Sequence, residues 1–144
     1  MKVGQFFDLH ELTRTSAPFD NTPSPLAYVN LARLCMMVLD PLRERVGPLR
    51  VTSAFRSPAV NRHVGGSEGS FHQYGLAADL QSASVTPTDL LLACFDLPGV
   101  DKAIIEFDQW LHVQIAAVGT KPRGEFLRAA RVGGKVVYSH ELTA

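Results

Sequence analysis

The stretch SFHQYGLAADLQ, residues 70–81, sets a histidine and an aspartate on either side of a glycine. His72 and Asp79 are separated by an odd number of positions, so one straight strand would direct them to opposite faces. Gly75 removes this difficulty, because glycine lets the chain turn before the strand begins. Asp79 then lies opposite the apolar residues of the strand, which are Leu76, Ala78 and Leu80. A carboxylate in so apolar a strand is costly to bury unpaired, and a cation beside it would remove that cost.

A second strand, WLHVQI at residues 110–115, has the same division of faces, with His112 opposite the apolar side chains. The core face of this strand consists of Leu111, Val113 and Ile115. Two imidazoles and one carboxylate are ligand types of catalytic zinc sites, which keep a fourth position open for water. His10 and His140 are expected to be incidental, and His63 is expected to be a helix-end residue stabilised by the helix dipole. On these residues alone, a metal site and a metal-free polar face both stay open.

The composition is that of a globular protein. Of 144 residues, 46% are hydrophobic and 19% are charged, and the formal net charge is zero. This balance offers no electrostatic footprint for nucleic acid or an anionic membrane. Cys35 and Cys94 lie in apolar helical stretches and are expected to be buried. No apolar run approaches the about 18 residues needed to span a bilayer. The N-terminus lacks the apolar segment of a secretory signal, so we expect synthesis in the cytoplasm. The sequence does not determine an oligomeric state.

The length of the chain, with no obvious linker, predicts one domain over residues 1–144. Residues 1–24 are expected to form an irregular arm with a short helix at 8–13. A hydroxyl residue followed by proline, a pattern typical of helix starts, occurs at Ser24, Ser57 and Thr86. Pro41 is expected to end or kink the first of these helices near Asp40.

Strand signals dominate the second half of the chain. After a strand at 49–55 and the strand that holds Asp79, two strands follow at 102–107 and 110–117 with a short link. Residues 125–144 are expected to form a terminal hairpin, since the Gly133–Gly134 pair can take the positive φ angles of a tight turn. Short links favour antiparallel pairing. The prediction is therefore an α+β fold, a small antiparallel sheet with N-terminal helices packed on one face.

Three ordered motifs resemble the zinc D-Ala-D-Ala carboxypeptidase family of the wider lysostaphin, D-Ala-D-Ala peptidase and hedgehog group. SFHQYGLAADL matches the motif S-x-H-x-x-G-x-A-x-D, and the W-x-H of EFDQWLHVQI resembles the second family motif. VTSAFRSPAVNRHVGG is similar to the S-x-Y/F-R-S-P-x-x-N-x-x-V-G-G stretch of phage-type members. The N-terminal helix region is similar as well, so the resemblance covers roughly residues 5 to 116 and implies the hedgehog and DD-peptidase fold.

The resemblance implies a site for Zn²⁺. By this likeness His72, Asp79 and His112 are the zinc ligands, with water or hydroxide on the remaining position. Zinc lowers the pKa of bound water to about 7, which makes a nucleophile available near neutral pH. Arg56 matches a family arginine that holds a carboxylate or carbonyl group of the wall peptide, a task suited to a planar guanidinium. Ser70 is expected to hydrogen-bond within the site, beside the substrate.

The general base is the point at which this chain departs from the family. Amide hydrolysis needs a carboxylate to accept the water proton and pass it to the leaving amine. Many members of the group carry Asp or Glu three residues before the last histidine, where this chain has Gln109. Glu106 and Asp108 are the candidates, and the E-F-x-x-W-x-H pattern of phage-type relatives favours Glu106. In a hairpin, an odd-length loop would place Glu106 on the face of His112, and a two-residue loop would place it on the opposite face.

The motifs and the resemblance together predict a zinc-dependent peptidase that hydrolyses an amide bond in peptidoglycan stem peptides. It would act as a D-Ala-D-Ala carboxypeptidase or as an endolysin-type endopeptidase. The missing secretory signal suits a phage lysis protein, released to the wall by a partner that opens the membrane, or a wall-cutting virion component. The alternative is a non-catalytic, zinc-containing module that binds wall peptides, an interpretation that Gln109 supports. A metal-free globular domain is a third interpretation.

Overall fold

A computed structural model describes residues 1–142 of the chain. Residues 143 and 144, the end of the predicted terminal hairpin, lie outside the described residues. The strands are β1 Arg50–Ser53, β2 Ala77–Gln81, β3 Val100–Glu106, β4 Trp110–Ile115, β5 Glu125–Val132 and β6 Lys135–Leu142. They form a six-stranded sheet in the order β1-β2-β4-β3-β5-β6. All neighbouring strands pair antiparallel except β3 and β5, which run parallel.

The helices are mostly short. They are α1 Leu9–Thr13, α2 Pro25–Leu34, α3 Asp40–Val46, α4 Pro58–His63 and α5 Pro87–Cys94, with a π-helical turn Cys35–Leu39 and a 3₁₀ turn Phe71–Tyr74. Three helices begin as predicted, because the hydroxyl groups of Ser24, Ser57 and Thr86 each accept a backbone N–H of the first turn. No helix within residues 1–142 is long and apolar enough to cross a membrane.

The helices α2, α3 and α5 pack on one face of the sheet. The core joins helix residues with strand residues and includes Leu31, Leu34, Val38, Leu90, Ala78, Leu80, Val113 and Ile115. Cys35 and Cys94 are fully buried in this core, as their apolar surroundings predict. The predicted α+β fold, with N-terminal helices on one face of the sheet, is confirmed, and the sheet is antiparallel except for one pair of strands.

The parallel pair of β3 and β5 differs from the fully antiparallel sheet that the short links predict. β4 is hydrogen-bonded along both edges, to β2 and to β3, so a following strand can join only an outer edge. The outer edge of β3 is the one that β5 occupies. A strand that reverses direction after β4 runs parallel to β3, and the segment 116–124 makes the crossover without a helix.

Pro41 does not end the first long helix, which corrects one of the two outcomes expected for it. The helical stretch passes from α2 through the π-helical turn into α3, and it ends at Gly47, whose φ is +86°. A proline ring clashes with the carbonyl group four residues earlier, which here belongs to Met37. Met37 lies within the wider π-helical turn, which changes the backbone pairing at that position and accommodates the proline.

The face of the sheet opposite the helices receives the polar side chains of β2 and β4. Asp79 pairs directly with His112 across these strands. Residues opposite one another in an antiparallel pair project from the same face, with Cβ atoms about 4.5–5.5 Å apart. The alternation in both strands therefore places Asp79 and His112 side by side, as their sequence patterns predict.

Gly75 makes the turn that connects the 3₁₀ turn to β2. Its φ is +73°, and its N–H donates to the carbonyl oxygen of His72 at 3.3 Å. A Cβ atom at this position would lie 2.4 Å from the carbonyl oxygen of Ala27 in α2. Glycine is therefore required both by the backbone conformation and by the close approach of the helix.

Replacing Gly75 by alanine is expected to destabilise the protein by more than the about 1–2 kcal/mol that a left-handed conformation costs an L residue, because the new methyl group also clashes with α2. Gly134→Ala is the matched control, since Gly134 has φ +79° and no described atom within 4 Å of an added Cβ. The free energy of unfolding of each variant can be measured by urea denaturation. Equal losses in the two variants would contradict this account of Gly75.

Candidate metal centre

Three side chains from separate parts of the chain converge on the face of the sheet opposite the helices. Ligand atoms of His72, Asp79 and His112 all lie within 4.8 Å of one another, a spacing that could hold a metal ion. Asp79 Oδ1 is 3.0 Å from Nδ1 of His112 and 3.4 Å from Nε2 of His72. The two imidazole centroids are 5.2 Å apart. The structure therefore brings together the three residues whose convergence the motifs predict.

His72 is positioned by its own turn and by the segment that follows β1. Ser70 begins the 3₁₀ turn, and its hydroxyl oxygen accepts the backbone N–H of His72 at 3.3 Å. Nδ1 of His72 lies 2.7 Å from the carbonyl oxygen of Ala54, and the N–H of Arg56 donates to the carbonyl oxygen of His72 at 3.0 Å. His72 is consequently held on both its side chain and its backbone, and the observed contact of Ser70 is that of a turn cap.

The hydrogen bond to Ala54 determines the tautomer of His72. A carbonyl oxygen can only accept, so Nδ1 carries the proton and Nε2 presents a lone pair. This Nε2 is buried and has no hydrogen-bond partner among the described residues. A metal-ligating histidine typically donates its other ring N–H to a carbonyl or carboxylate group. The orphaned Nε2 of His72 fits that arrangement.

His112 directs Nδ1 toward Asp79, whereas His72 directs Nε2 toward it. Its Nε2 lies 2.8 Å from Oε1 of Gln114, while the amide nitrogen of Gln114 donates to Asp101 Oδ2 at 2.9 Å. With its amide thus oriented, Gln114 offers an oxygen to His112, so Nε2 carries a proton. Nδ1 then faces Oδ1 of Asp79 at 3.0 Å, where a proton or a metal cation can bridge the two atoms. Gln114 and Asp101 were not among the predicted site residues. Two features of the sequence could have indicated them: Gln114 lies on the same face of its strand as His112, and Asp101 is an acid within the apolar strand β3.

Asp79 is held from its outer side by Arg56. Nη2 of Arg56 is 3.5 Å from Asp79 Oδ2, which leaves Oδ1 facing the two histidines. The guanidinium is itself held by Ser53 Oγ at 3.0 Å and by Asn61 Oδ1 at 3.4 Å. Arg56, predicted to be a substrate anchor, is thus in direct contact with one of the three converging side chains.

The electrostatics of the three groups favour a positive charge between them. Burial alone would raise the pKa of Asp79, but the neighbouring imidazoles of His112 and His72 hold it well below its usual range. Burial lowers the pKa of His72. For His112 burial acts in the same direction, but Asp79 outweighs it and raises the pKa. Nε2 of His72, Nδ1 of His112 and Oδ1 of Asp79 therefore meet where a proton or a metal cation is favoured, and two nitrogen ligands and one oxygen ligand suit a zinc ion.

Glu106 lies on the same face as the three converging groups. It pairs with Trp110 across the turn, and Ile104 pairs with His112, so Glu106 and His112 are diagonal neighbours on one face. Such neighbours are about 7–8 Å apart at Cα, within reach of a long side chain. The link between β3 and β4 comprises residues 107–109 and has the odd length that this placement requires. Burial raises the pKa of Glu106, and the negative charge of Asp79 acts in the same direction.

Asp108 is placed elsewhere. It lies at the tip of the turn with φ +56°, and its carboxylate forms an ion pair with Arg128. Arg128 pairs with Ile105 in the parallel ladder and also donates to the hydroxyl group of Thr88 in α5, so it belongs to the helix-covered side of the sheet. The side chain of Asp108 is 75% exposed. Of the two predicted bases, only Glu106 shares the face of the three converging side chains.

Comparison with known proteins is consistent with this geometry. A search of curated proteins found no match. The family model described as Peptidase M15 matches residues 6–114, which is more than half of the chain. The matched region contains the three converging side chains together with Arg56 and Glu106. The chain belongs to the Peptidase M15 family.

Proposed function

We propose that this protein is a zinc-dependent peptidase that hydrolyses an amide bond in peptidoglycan stem peptides. Its family is one of peptidases, and the observation that supports a zinc-dependent reaction most strongly is the convergence of three ligand atoms at His72, Asp79 and His112. When bound there, a zinc ion would supply Lewis acidity and lower the pKa of a coordinated water to about 7. The scissile bond would be either the terminal D-Ala-D-Ala bond or an internal bond of the stem peptide.

In this proposal Glu106 is the general base. Its carboxylate would accept the proton of the attacking water and return it to the leaving amine. Its position on the face of His112 supports this role. The raised pKa brings the carboxyl group closer to neutrality, where a base both accepts and releases protons efficiently.

Arg56 would hold the substrate while it orients Asp79. A guanidinium has five N–H donors. Ser53, Asn61 and Asp79 are its side-chain hydrogen-bond partners among the described residues, and each is contacted by a different nitrogen of the group. The remaining N–H donors are available to a carbonyl or carboxylate group of the peptide. Release to the wall during phage lysis, or delivery in a virion, is the expected biological setting.

A second candidate function is supported by Gln109. This residue occupies the position where many relatives carry an acid, and its backbone carbonyl oxygen accepts from the side chain of Gln81 at 3.0 Å. A glutamine cannot exchange protons. If Glu106 were not the base, the site would be a zinc-containing module that binds wall peptides without cleaving them.

Zinc binding tests the metal centre first. After dialysis against zinc, the wild-type protein is expected to retain one zinc ion per chain by mass spectrometry, and His72→Ala and His112→Ala are expected to lose it, because each removes one ligand nitrogen. His63→Ala is the matched control, since His63 is an exposed residue of α4. Circular dichroism establishes that each variant is folded. Zinc loss in His63→Ala, or retention in both site variants, would contradict the assignment.

Glu106→Gln separates the enzyme from the binding module. The substitution keeps the side-chain shape but removes the proton acceptor, so kcat is expected to fall by about 10²–10⁴-fold with zinc content unchanged. Asp108→Asn is the control and is expected to keep near wild-type activity, because Asp108 pairs with Arg128 away from the centre. Unchanged kcat in Glu106→Gln would exclude Glu106 as the base.

Digestion of purified peptidoglycan identifies the bond. The wild-type protein is expected to create new amino and carboxyl termini within stem peptides, which mass spectrometry locates, and a zinc chelator is expected to abolish them. New reducing sugar ends, or no new termini with a fully zinc-loaded protein, would be the contrary result.

A further inference from the structure

The ring orientation of His112 depends on a series of hydrogen bonds that leads away from the metal centre. Nε2 of His112 contacts Gln114 Oε1 at 2.8 Å, and Gln114 Nε2 donates to Asp101 Oδ2 at 2.9 Å. Asp101 Oδ2 in turn accepts from Nη2 of Arg123 at 2.7 Å. We call His112, Gln114, Asp101 and Arg123 the His112–Arg123 chain. Its members come from β3, β4 and the segment 116–124.

The direction of each hydrogen bond in this chain follows from the charge on Asp101. Burial alone would raise the pKa of Asp101, but its hydrogen bonds from Arg123 and Gln114 lower it to about 2. At neutral pH the group is therefore a carboxylate, which can only accept. The amide nitrogen of Gln114 must face Asp101, so the amide oxygen must face His112. That oxygen accepts the Nε2 proton, so Nδ1 is the ring nitrogen that faces Asp79 Oδ1 at 3.0 Å and that can bind a metal cation in place of a proton.

A bulge in β3 makes this contact available. The register with β4 shifts between Val100 and Lys102, which leaves Asp101 as the extra residue of β3. In regular alternation Asp101 would share a face with Ala103 and Ile105, both of which are buried in the hydrophobic core. A bulge redirects a side chain, and here it allows the carboxylate to reach Gln114 on the face of the metal centre.

Arg123 anchors the outer end of the chain. Its backbone N–H donates to Asp101 Oδ1 at 2.9 Å, and its guanidinium contacts both carboxylate oxygens. The side chain of Asp101 is 4% exposed, whereas that of Arg123 is 50% exposed. A buried carboxylate is thus compensated by an arginine that reaches it from the surface, which keeps Asp101 ionised and fixed in place.

We propose that Gln114, Asp101 and Arg123 are positioning residues that set the metal affinity of His112 by fixing its tautomer. This inference rests on the proposed function, since it assumes that His112 binds zinc through Nδ1. Residues that hydrogen-bond the second ring nitrogen of a ligating histidine typically contribute about 10- to 100-fold in metal affinity. None of the three touches the ion in this scheme; they act through the orientation of one imidazole.

The test is a double-mutant cycle on zinc affinity, measured by chelator competition with the full chain. Asp101→Asn and Gln114→Met are each expected to weaken zinc binding by about 10- to 100-fold. In the Gln114→Met background, Asp101→Asn is expected to cause no further loss, because the connection to His112 is already broken. Glu141→Gln is the matched control: it removes an ion pair of the same sheet, with Arg128, that has no link to the centre.

NMR of the zinc-loaded protein supplies a readout that a purely structural role would not change. The Nε2 proton of His112 is expected to exchange slowly in the wild type and in Glu141→Gln, and rapidly in Asp101→Asn. If Asp101→Asn does not fold, Arg123→Met takes its place, since the half-exposed Arg123 side chain is more readily replaced.

Two contrary results are distinguishable. Zinc affinity that is unchanged in folded Asp101→Asn or Arg123→Met, or losses that add up in the double variant, would overturn the positioning role alone. A wild-type chain that binds no zinc would overturn the proposed function and the positioning role together.

Discussion

Three potential ligand atoms meet at the middle of this sheet, Asp79 Oδ1, His72 Nε2 and His112 Nδ1, and each is turned inward by a contact on the outer side of its group. The carbonyl oxygen of Ala54 holds the proton of one ring and Gln114 holds the proton of the other. Arg56 occupies the second oxygen of Asp79. Between an imidazole nitrogen and a carboxylate oxygen at such a distance, a proton or a metal cation removes the repulsion of the lone pairs. The remaining structure can be understood as the means of holding these three atoms together.

The backbone provides that means at two levels. Directly opposed positions on β2 and β4 bring Asp79 and His112 together without any flexible element, because register fixes which face each side chain takes. His72 comes from a short turn, and its position depends on the helices as well. Gly75 lets α2 approach so closely that an added Cβ would meet the carbonyl oxygen of Ala27. The apolar core on one face thus locates the polar centre on the other.

The sequence predicted those features that depend on local patterns. Alternation in LAADLQ and WLHVQI placed Asp79 and His112 on non-core faces, and hydroxyl residues before proline marked three helix starts. Features that depend on distant contacts were not predictable. The parallel pairing of β5 follows from which edge of the sheet is vacant, and the contact of Asp101 with Gln114 follows from a bulge that no local pattern reveals. Arg56 was predicted to contact substrate, but its contact with Asp79 arises only in the folded chain.

Zinc-edge anomalous diffraction from crystals grown with zinc tests the central claim most directly. A single strong peak is expected within about 2.0–2.2 Å of His72 Nε2, His112 Nδ1 and one oxygen of Asp79, with a fourth position that faces solvent. A peak at another group of residues, or coordination of His112 through Nε2, would contradict the account, because the hydrogen bond from Gln114 reserves that nitrogen for a proton.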